Sequence, residues 1–221
     1  MIITEQKPLQ EILRSLEKHA RIFLVGCGDC ATACNTGGQS QLDAIKKSLE
    51  EQGKTVVGTC IPDATCVAAK LKVSTAKQMQ AMRQADAVLV FSCGLGVQSF
   101  RDNDRLNLPV LPGCNTMSGA LLDSLGNLWE KCAMCGQCVL GETCGICPVA
   151  LCSKGLLNGP CGGMNKGKCE LDSERECAWV LIYKEAQKRQ ALDALKKIQA
   201  PRDHKKAMRP HALVVNRPVT K

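Results

Sequence analysis

Residues 21–30 read Arg21-Ile22-Phe23-Leu24-Val25-Gly26-Cys27-Gly28-Asp29-Cys30, a short apolar run that ends in glycine and leads directly into two cysteines. A continuous apolar run of this length, closed by glycine, is typical of a strand that is buried on both faces of a parallel sheet. Apolar residues at helical spacing flank the run on both sides, over residues 7–19 and 39–52. The run therefore predicts the first strand of an α/β domain.

The alternation of short apolar runs with helical periods continues to residue 127. Further strands are expected at Thr55–Gly58, Ala87–Ser92 and Val110–Leu111, and further helices over residues 75–85 and 117–127. Strands that alternate with helices indicate right-handed βαβ units. We therefore predict an α/β fold class, with a flavodoxin-like open parallel sheet over residues 1–127.

Cysteine follows each of these predicted strands. The cysteines concerned are Cys27 and Cys30, Cys60, Cys93, and Cys114. Because the carboxyl ends of parallel strands meet at one edge of a sheet, where ligands bind, we expect these cysteines to converge on a metal site. Burial as small apolar side chains is the alternative. The turn at Gly26 lacks the later residues of a dinucleotide fingerprint or a P-loop, so we do not expect a nucleotide there.

Residues 128–180 have a different composition, without helix or strand periodicity. Nine of the 16 cysteines lie here, in the run Cys132-x2-Cys135-x2-Cys138-x5-Cys144-x2-Cys147-Pro148 and then at Cys152, Cys161, Cys169 and Cys177. Three cysteines at x2 spacing and a final Cys-Pro are typical of ferredoxin-type iron–sulfur binding. Four-cysteine zinc sites also use x2 pairs, so zinc remains the alternative. We predict a small Cys-rich domain that bound metal organises.

The N-terminal residues show no signal-peptide pattern, and no apolar run reaches the length of a membrane span. We therefore expect a cytoplasmic chain without membrane insertion, in which the cysteines bind metal and do not form disulfides.

Four groups of residues carry a family resemblance. They are Gly26-Cys27-Gly28-x-Cys30-Ala31, Ser92-Cys93-Gly94-x-Gly96-Val97-Gln98, Cys132-x2-Cys135-Gly136-x-Cys138, and Gly155-Leu156-Leu157-Asn158-Gly159-Pro160-Cys161-Gly162-Gly163 with Gly167-Lys168-Cys169-Glu170. Over about residues 20–180 the chain resembles the MetV-type family, the small iron–sulfur/zinc subunit of two-subunit methylenetetrahydrofolate reductases. The resemblance implies a non-catalytic, cytoplasmic partner of a flavin-containing, folate-binding barrel subunit in one-carbon metabolism, with further electron-transfer subunits as additional candidate partners.

The resemblance also ranks the cysteines as metal ligands. In the first domain Cys60 and Cys114 match the family less well than the five others, which are Cys27, Cys30, Cys34, Cys66 and Cys93. In the second domain family members usually lack Cys144, which leaves Cys132, Cys135, Cys138, Cys147, Cys152, Cys161, Cys169 and Cys177. Eight thiolates suit two cubane clusters, or one cluster and one zinc ion. We expect two or more [4Fe-4S] clusters, at least one in each domain.

These residues favour an electron carrier that does not itself transform folate, because no flavin or folate pocket with general acid groups is apparent. A row of clusters provides one-electron steps that a partner flavin can combine into a two-electron reduction. A structural zinc scaffold for the same enzyme is one alternative. An electron-transfer subunit of the heterodisulfide-reductase kind, with a different flavoprotein partner, is another.

The last part of the chain, residues 181–221, carries 11 basic and three acidic residues, and with them the whole net charge of +8. We predict a basic helix followed by a docking tail for the catalytic subunit, which includes the apolar run Ala212-Leu213-Val214-Val215. A solvated, loose terminus is the alternative. Nucleic-acid binding is not expected, because the tail has few aromatic residues and no groove-binding motif. Removal of residues 200–221 should leave the clusters intact and weaken the complex.

Overall fold

The computed structural model describes residues 1–211. The chain divides into two compact units, Met1–Trp129 and a second unit that begins at Glu130. The predicted apolar run at residues 212–215 lies outside the described residues.

The first unit contains eight strands and six helices. The strands are β1 (Ile2–Gln6), β2 (Arg21–Val25), β3 (Thr55–Cys60), β4 (Ala87–Val90), β5 (Val110–Pro112), β6 (Cys114–Gly119), β7 (Leu121–Leu122) and β8 (Leu128–Trp129). The helices are α1 (Leu9–Ser15), α2 (Cys30–Ala33), α3 (Gln39–Glu51), α4 (Ala68–Lys77), α5 (Met79–Met82) and α6 (Gly94–Asn103). Strands β2 to β5 form a four-stranded parallel sheet in the order β3-β2-β4-β5.

Strand β2 shows why this sheet is buried on both faces. Ile22 and Leu24 lie in an apolar cluster with residues of α1 and α3. Phe23 and Val25, which point to the opposite face, lie in a second cluster with residues of α4, α5 and α6. Helices therefore cover both sides, as the continuous apolar run of the sequence predicts.

The strand order reverses direction between β2 and β4, at the carboxyl edge of the sheet. The chain passes from β2 to β3 on one side and then crosses back to β4 on the other, so β2 and β4 are neighbours. Val25 pairs with Val90, which places the residues after both strands side by side. A change of direction of this kind between neighbouring strands is where open α/β sheets bind ligands.

Two parts of the first unit differ from the sequence prediction. Strand β1 was not expected, and it pairs antiparallel with β6, from Ile2 with Gly119 to Gln6 with Cys114. The helix predicted over residues 117–127 is wrong, because this segment forms β6, β7 and the turn to β8. Met117, Leu121 and Leu125 have helical spacing, but pairing with β1 and a turn around Asp123 override that local preference.

Three predicted helices have different bounds. The helix predicted over residues 75–85 starts earlier, as α4, and breaks at Gln78 before the short α5. The helix expected over residues 7–19 is shorter, as α1. The third lies in the second unit, where apolar residues at helical spacing predict a helix over residues 174–199. That segment contains part of a strand, one helix and a 3-10 turn.

The second unit has little regular structure. It contains α7 (Pro148–Leu151), β9 (Lys168–Cys169), β10 (Asp172–Glu176) and α8 (Ala178–Lys188), with 3-10 turns at Leu192–Lys196 and His204–Ala207. A small apolar cluster of Cys177, Trp179 and Ile182 joins α8 to the Cys-rich segment, and the Trp179 indole donates to the Leu156 carbonyl at 2.9 Å. Among the helices of residues 1–211, none has the length and apolarity to cross a bilayer.

Candidate metal centres

Cys27 is held at the carboxyl edge of the sheet by a tightly packed turn. Its amide donates to the Gly37 carbonyl at 3.0 Å, and the Thr32 hydroxyl donates to the Cys27 carbonyl at 2.7 Å. A Cβ on Gly26 would lie 2.3 Å from the Gly37 oxygen, and one on Gly37 would lie 2.1 Å from the Phe91 oxygen. Glycine is therefore required at both positions by the close approach of the backbone.

Three further cysteines are delivered to the same edge. Cys30 is the first residue of α2, and Cys93 lies after the neighbouring strand β4 and directly before α6. Cys66 belongs to the loop between β3 and α4, and the buried Thr65 hydroxyl fixes that loop by donating to the Gly26 carbonyl at 2.7 Å. Cys27 and Cys93 are buried, Cys30 is half-buried and Cys66 is exposed.

Cys30 and Cys66 are each close enough to Cys27 and Cys93 to be influenced by their charge. Burial raises the pKa of Cys30, and negative charge on Asp29, followed by Cys27 and Cys93, raises it further. Burial also raises the pKa of Cys66, and the charges of Cys93 and Cys27 raise it further. Several thiolates in such a place repel one another unless a metal centre neutralises them. The first candidate site is therefore the group Cys27, Cys30, Cys66 and Cys93.

The remaining cysteines of the first unit have other surroundings. Cys34, which the resemblance includes among the ligands, contacts β1: the Thr4 amide donates to its sulfur at 3.4 Å, and its sulfur lies 3.5 Å from the Ile2 carbonyl. Cys60 and Cys114 belong to the two apolar clusters of the core. Burial raises the pKa of each to about 12, so these two thiols remain neutral at physiological pH.

In the second unit, the cysteines of the x2 run surround one cavity. The cavity has a volume of about 210 Å³, and its lining includes Cys132, Cys135, Cys138 and Cys147. Met134 and Gly136 have positive φ angles of 48° and 75°, which curl the loop around the cavity. We call this group the large cysteine cavity.

The other four cysteines of this unit surround a smaller space. The lining of a cavity of about 20 Å³ includes Cys152, Cys161, Cys169 and Cys177, and we call this group the small cysteine cavity. A volume near 10–15 Å³ is the least that holds one water molecule. The small cysteine cavity is therefore little larger than this minimum, whereas the large one has about ten times its volume. Cys144 belongs to the lining of neither cavity.

A charged pair borders the small cysteine cavity. Glu170 accepts hydrogen bonds from the Lys154 ammonium and from the Cys161 thiol, the latter at 3.2 Å. The bond from Lys154 is the largest of the contributions that hold the pKa of Glu170 below its usual range. The backbone amide of Leu171, followed by the Ser153 hydroxyl, lowers the pKa of Cys169. Sequence reasoning missed this pair, although both residues lie within two positions of a cysteine.

The thiols line these sites, but they are not close enough together to coordinate a common metal centre. All sixteen cysteines are free, and within residues 1–211 no three His, Cys, Asp or Glu side chains are already arranged to hold one metal ion. Metal binding would therefore require the thiols to draw together. The donor set fits, because four cysteines at each site match the ligand number of both cubane clusters and structural zinc.

A basic segment packs on the loop of the large cysteine cavity. The Asp203 amide donates to the Gln137 side-chain oxygen at 3.0 Å, and an Arg202 guanidinium nitrogen donates to the Cys135 carbonyl at 3.5 Å. Part of the segment 200–221 therefore contacts the surroundings of this candidate site, so the expectation that its removal leaves the clusters intact stays a prediction to be tested. No sequence pattern links Arg202 to Cys135, which lies 67 positions away.

Comparison with known proteins covers only part of the chain. No curated protein and no solved structure matches it. Residues 111–205, just under half of the chain, contain all of the cysteines of both cavities and the basic segment beside them. These residues match the family model described as "Methylene-tetrahydrofolate reductase C terminal".

Proposed function

We propose that this chain is a MetV-type electron-transfer subunit that exchanges electrons with a flavin-containing methylenetetrahydrofolate reductase subunit in the cytoplasm. The observation that carries the proposal is the large cysteine cavity, in which the x2-spaced cysteines and Cys147 share one space of about 210 Å³. The family match over residues 111–205 links that cavity to methylenetetrahydrofolate reductase. The chain itself is non-catalytic in this proposal.

Three metal centres follow from the grouping of the thiols. Cys132, Cys135, Cys138 and Cys147 would hold one [4Fe-4S] cluster, and Cys27, Cys30, Cys66 and Cys93 a second. The four cysteines of the small cavity would hold zinc, for which a space of about 20 Å³ is better suited. Bound clusters supply one-electron steps that the partner's flavin combines into a two-electron reduction.

The residues around the thiols have separate roles in this proposal. The turn at Gly26 and Gly37 positions Cys27, and Thr65 orders the loop that carries Cys66. Cys34 would stabilise the edge strand β1 by its contacts with Thr4 and Ile2. The strand order β3-β2-β4-β5 is the flavodoxin-like order without a fifth strand, and we propose that relationship for the first unit.

A structural zinc scaffold is the second candidate function, and the small cysteine cavity favours it. Anaerobic purification followed by iron, acid-labile sulfide and zinc analysis separates the two. The electron-transfer proposal requires iron and sulfide in equal amounts, with about half of the iron lost in Cys135→Ala and all of it retained in Cys144→Ala. Zinc without sulfide would support the scaffold instead.

A further inference from the structure

The segment of residues 199–206, which we call the C-terminal strap, is fastened to two loops of the second unit. Asn158 makes two hydrogen bonds with the Gln199 backbone, donating to its carbonyl at 3.1 Å and accepting from its amide at 2.7 Å. Four residues further on, the Asp203 amide donates to Gln137 at 3.0 Å. The strap therefore runs from the loop before Cys161 to the loop of the large cysteine cavity.

Gly136 allows the strap to approach that loop closely. A Cβ at this position would lie 2.4 Å from the Lys206 carbonyl oxygen and 3.0 Å from its carbonyl carbon. Both of these are backbone atoms, so a side chain at Gly136 would displace the strap itself. The contact is thus built into the backbone of both segments.

Arg202 is the cation that the strap brings to this loop. One of its terminal nitrogens donates to the Cys135 carbonyl at 3.5 Å. Its Nε is buried and has no hydrogen-bond partner within residues 1–211. Arg202 is also not a member of any ion pair of the second unit within residues 1–211. A partly buried guanidinium with an unsatisfied donor is costly unless an anion compensates it.

We propose that the positive charge of Arg202 raises the reduction potential of the cluster at Cys132, Cys135, Cys138 and Cys147. The C-terminal strap holds the Arg202 side chain in place beside that cluster. This inference rests on the proposed function. Four thiolates make the bound cluster anionic, and a one-electron reduction adds a further negative charge. A fixed cation beside Cys135 favours the reduced state, since net charge around a cluster is one determinant of its potential.

The test is a redox titration of the full-length chain, reduced with dithionite and followed by electron paramagnetic resonance. The signal is assigned to this site by its loss in Cys135→Ala. For Arg202→Gln we expect about a tenfold lower ratio of reduced to oxidised cluster at the wild-type midpoint, which is about 59 mV for a one-electron couple. Arg202→Lys keeps the charge and should recover most of the shift.

Lys205→Gln is the matched control, because it removes the same charge from an exposed position of the same strap. Its shift should be clearly smaller, since a solvated charge is screened. Iron and sulfide should equal the wild-type values in all three variants. An unchanged midpoint in Arg202→Gln, with iron and sulfide retained, would overturn this inference alone. A wild-type chain without sulfide would instead overturn the proposed function.

If Arg202→Gln does not retain its cluster, two glycine variants decide the question. Gly136, with a φ of 75°, contacts the strap, so Gly136→Ala displaces it. Gly145, the site of the control variant Gly145→Ala, has a similar φ of 85°, but a Cβ at this position would have no atom within 4 Å. Both carry the same backbone strain, but only Gly136→Ala should lower the midpoint. Equal midpoints, or loss of the signal from both variants alike, would overturn the role of the strap.

Discussion

Replacing Gly37 by alanine tests how the first unit positions Cys27. The new Cβ would lie 2.1 Å from the Phe91 oxygen and 2.8 Å from the Ala31 Cβ, so the turn must move away from the sheet. The Gly37 carbonyl also accepts the Cys27 amide at 3.0 Å. Overpacking costs about 1–3 kcal/mol and the weakened hydrogen bond about 1 kcal/mol, so we expect about 2–4 kcal/mol of destabilisation.

Gly38→Ala is the matched control. Gly38 is also buried, but its Cβ would meet side-chain atoms and no backbone atom: the Gln41 side-chain oxygen at 3.0 Å and the Thr32 hydroxyl at 3.2 Å. Its φ of −81° carries no strain. Because side-chain ends can shift more easily than backbone atoms, we expect a clearly smaller cost than for Gly37→Ala.

Native-state hydrogen exchange is the appropriate assay, because a chain of two units need not unfold in one step. The free energy of opening is measured at the amides that join β2 and its neighbours, for example Phe91, which donates to the Val25 carbonyl at 2.7 Å. Gly37→Ala should lower that free energy and release iron from the first unit. Equal values for the two variants would refute the argument that close packing of this turn positions Cys27.

Three further predictions follow from the described contacts. Cys144→Ala should keep all metal, whereas Cys135→Ala should lose one centre and expose the Cys-rich segment to proteolysis; equal metal loss would contradict the assignment of ligands. Removing residues 212–221 should keep the iron and weaken, in a salt-dependent way, binding to the proposed flavoprotein partner, measured by surface plasmon resonance. Removing residues 200–221 should also speed loss of the cluster in air; equal cluster lifetimes for the two deletions would count against the strap. The pKa of Asp123 is lowered to about 2 by hydrogen bonds, of which the bond from the Trp129 indole contributes most and that from the Asn127 amide next. The Asp123 carboxylate therefore stabilises the β7–β8 turn above pH 4, and this stabilisation is lost as the pH falls through 2. Trp129 fluorescence in a Trp179→Phe background should follow that change and should not follow it in Asp123→Asn; the same acid transition in both would contradict the role of Asp123.

The central strands could be predicted from sequence because their signals are local. The apolar runs at Arg21–Val25 and Ala87–Val90 are continuous, and each belongs to a sheet that helices cover on both faces. The pairing of β1 with β6 could not be predicted in this way, because it joins segments more than 100 residues apart. Because of this long-range pairing, the segment after Cys114 forms a strand, although Met117 and Leu121 have helical spacing.

The spacing of the cysteines predicts a common site for neighbours in the chain, but it does not predict how the more distant cysteines are grouped. The x2 run indicates a common site for Cys132, Cys135 and Cys138, and the cavity adds Cys147 to them. The grouping of Cys152 with Cys177 depends on how β9, β10 and α8 fold around the small cysteine cavity. Arg202 has no recognisable motif, since only the path of the strap brings it to Cys135.

Metal analysis of the anaerobically purified chain is the most direct test of an electron-transfer role. We expect two cubane clusters and one zinc ion, thus about eight iron, eight acid-labile sulfide and one zinc per chain. Cys147→Ala should remove about half of the iron and sulfide and leave the zinc. Zinc alone, with no acid-labile sulfide in the anaerobic wild-type protein, would contradict an electron-transfer role.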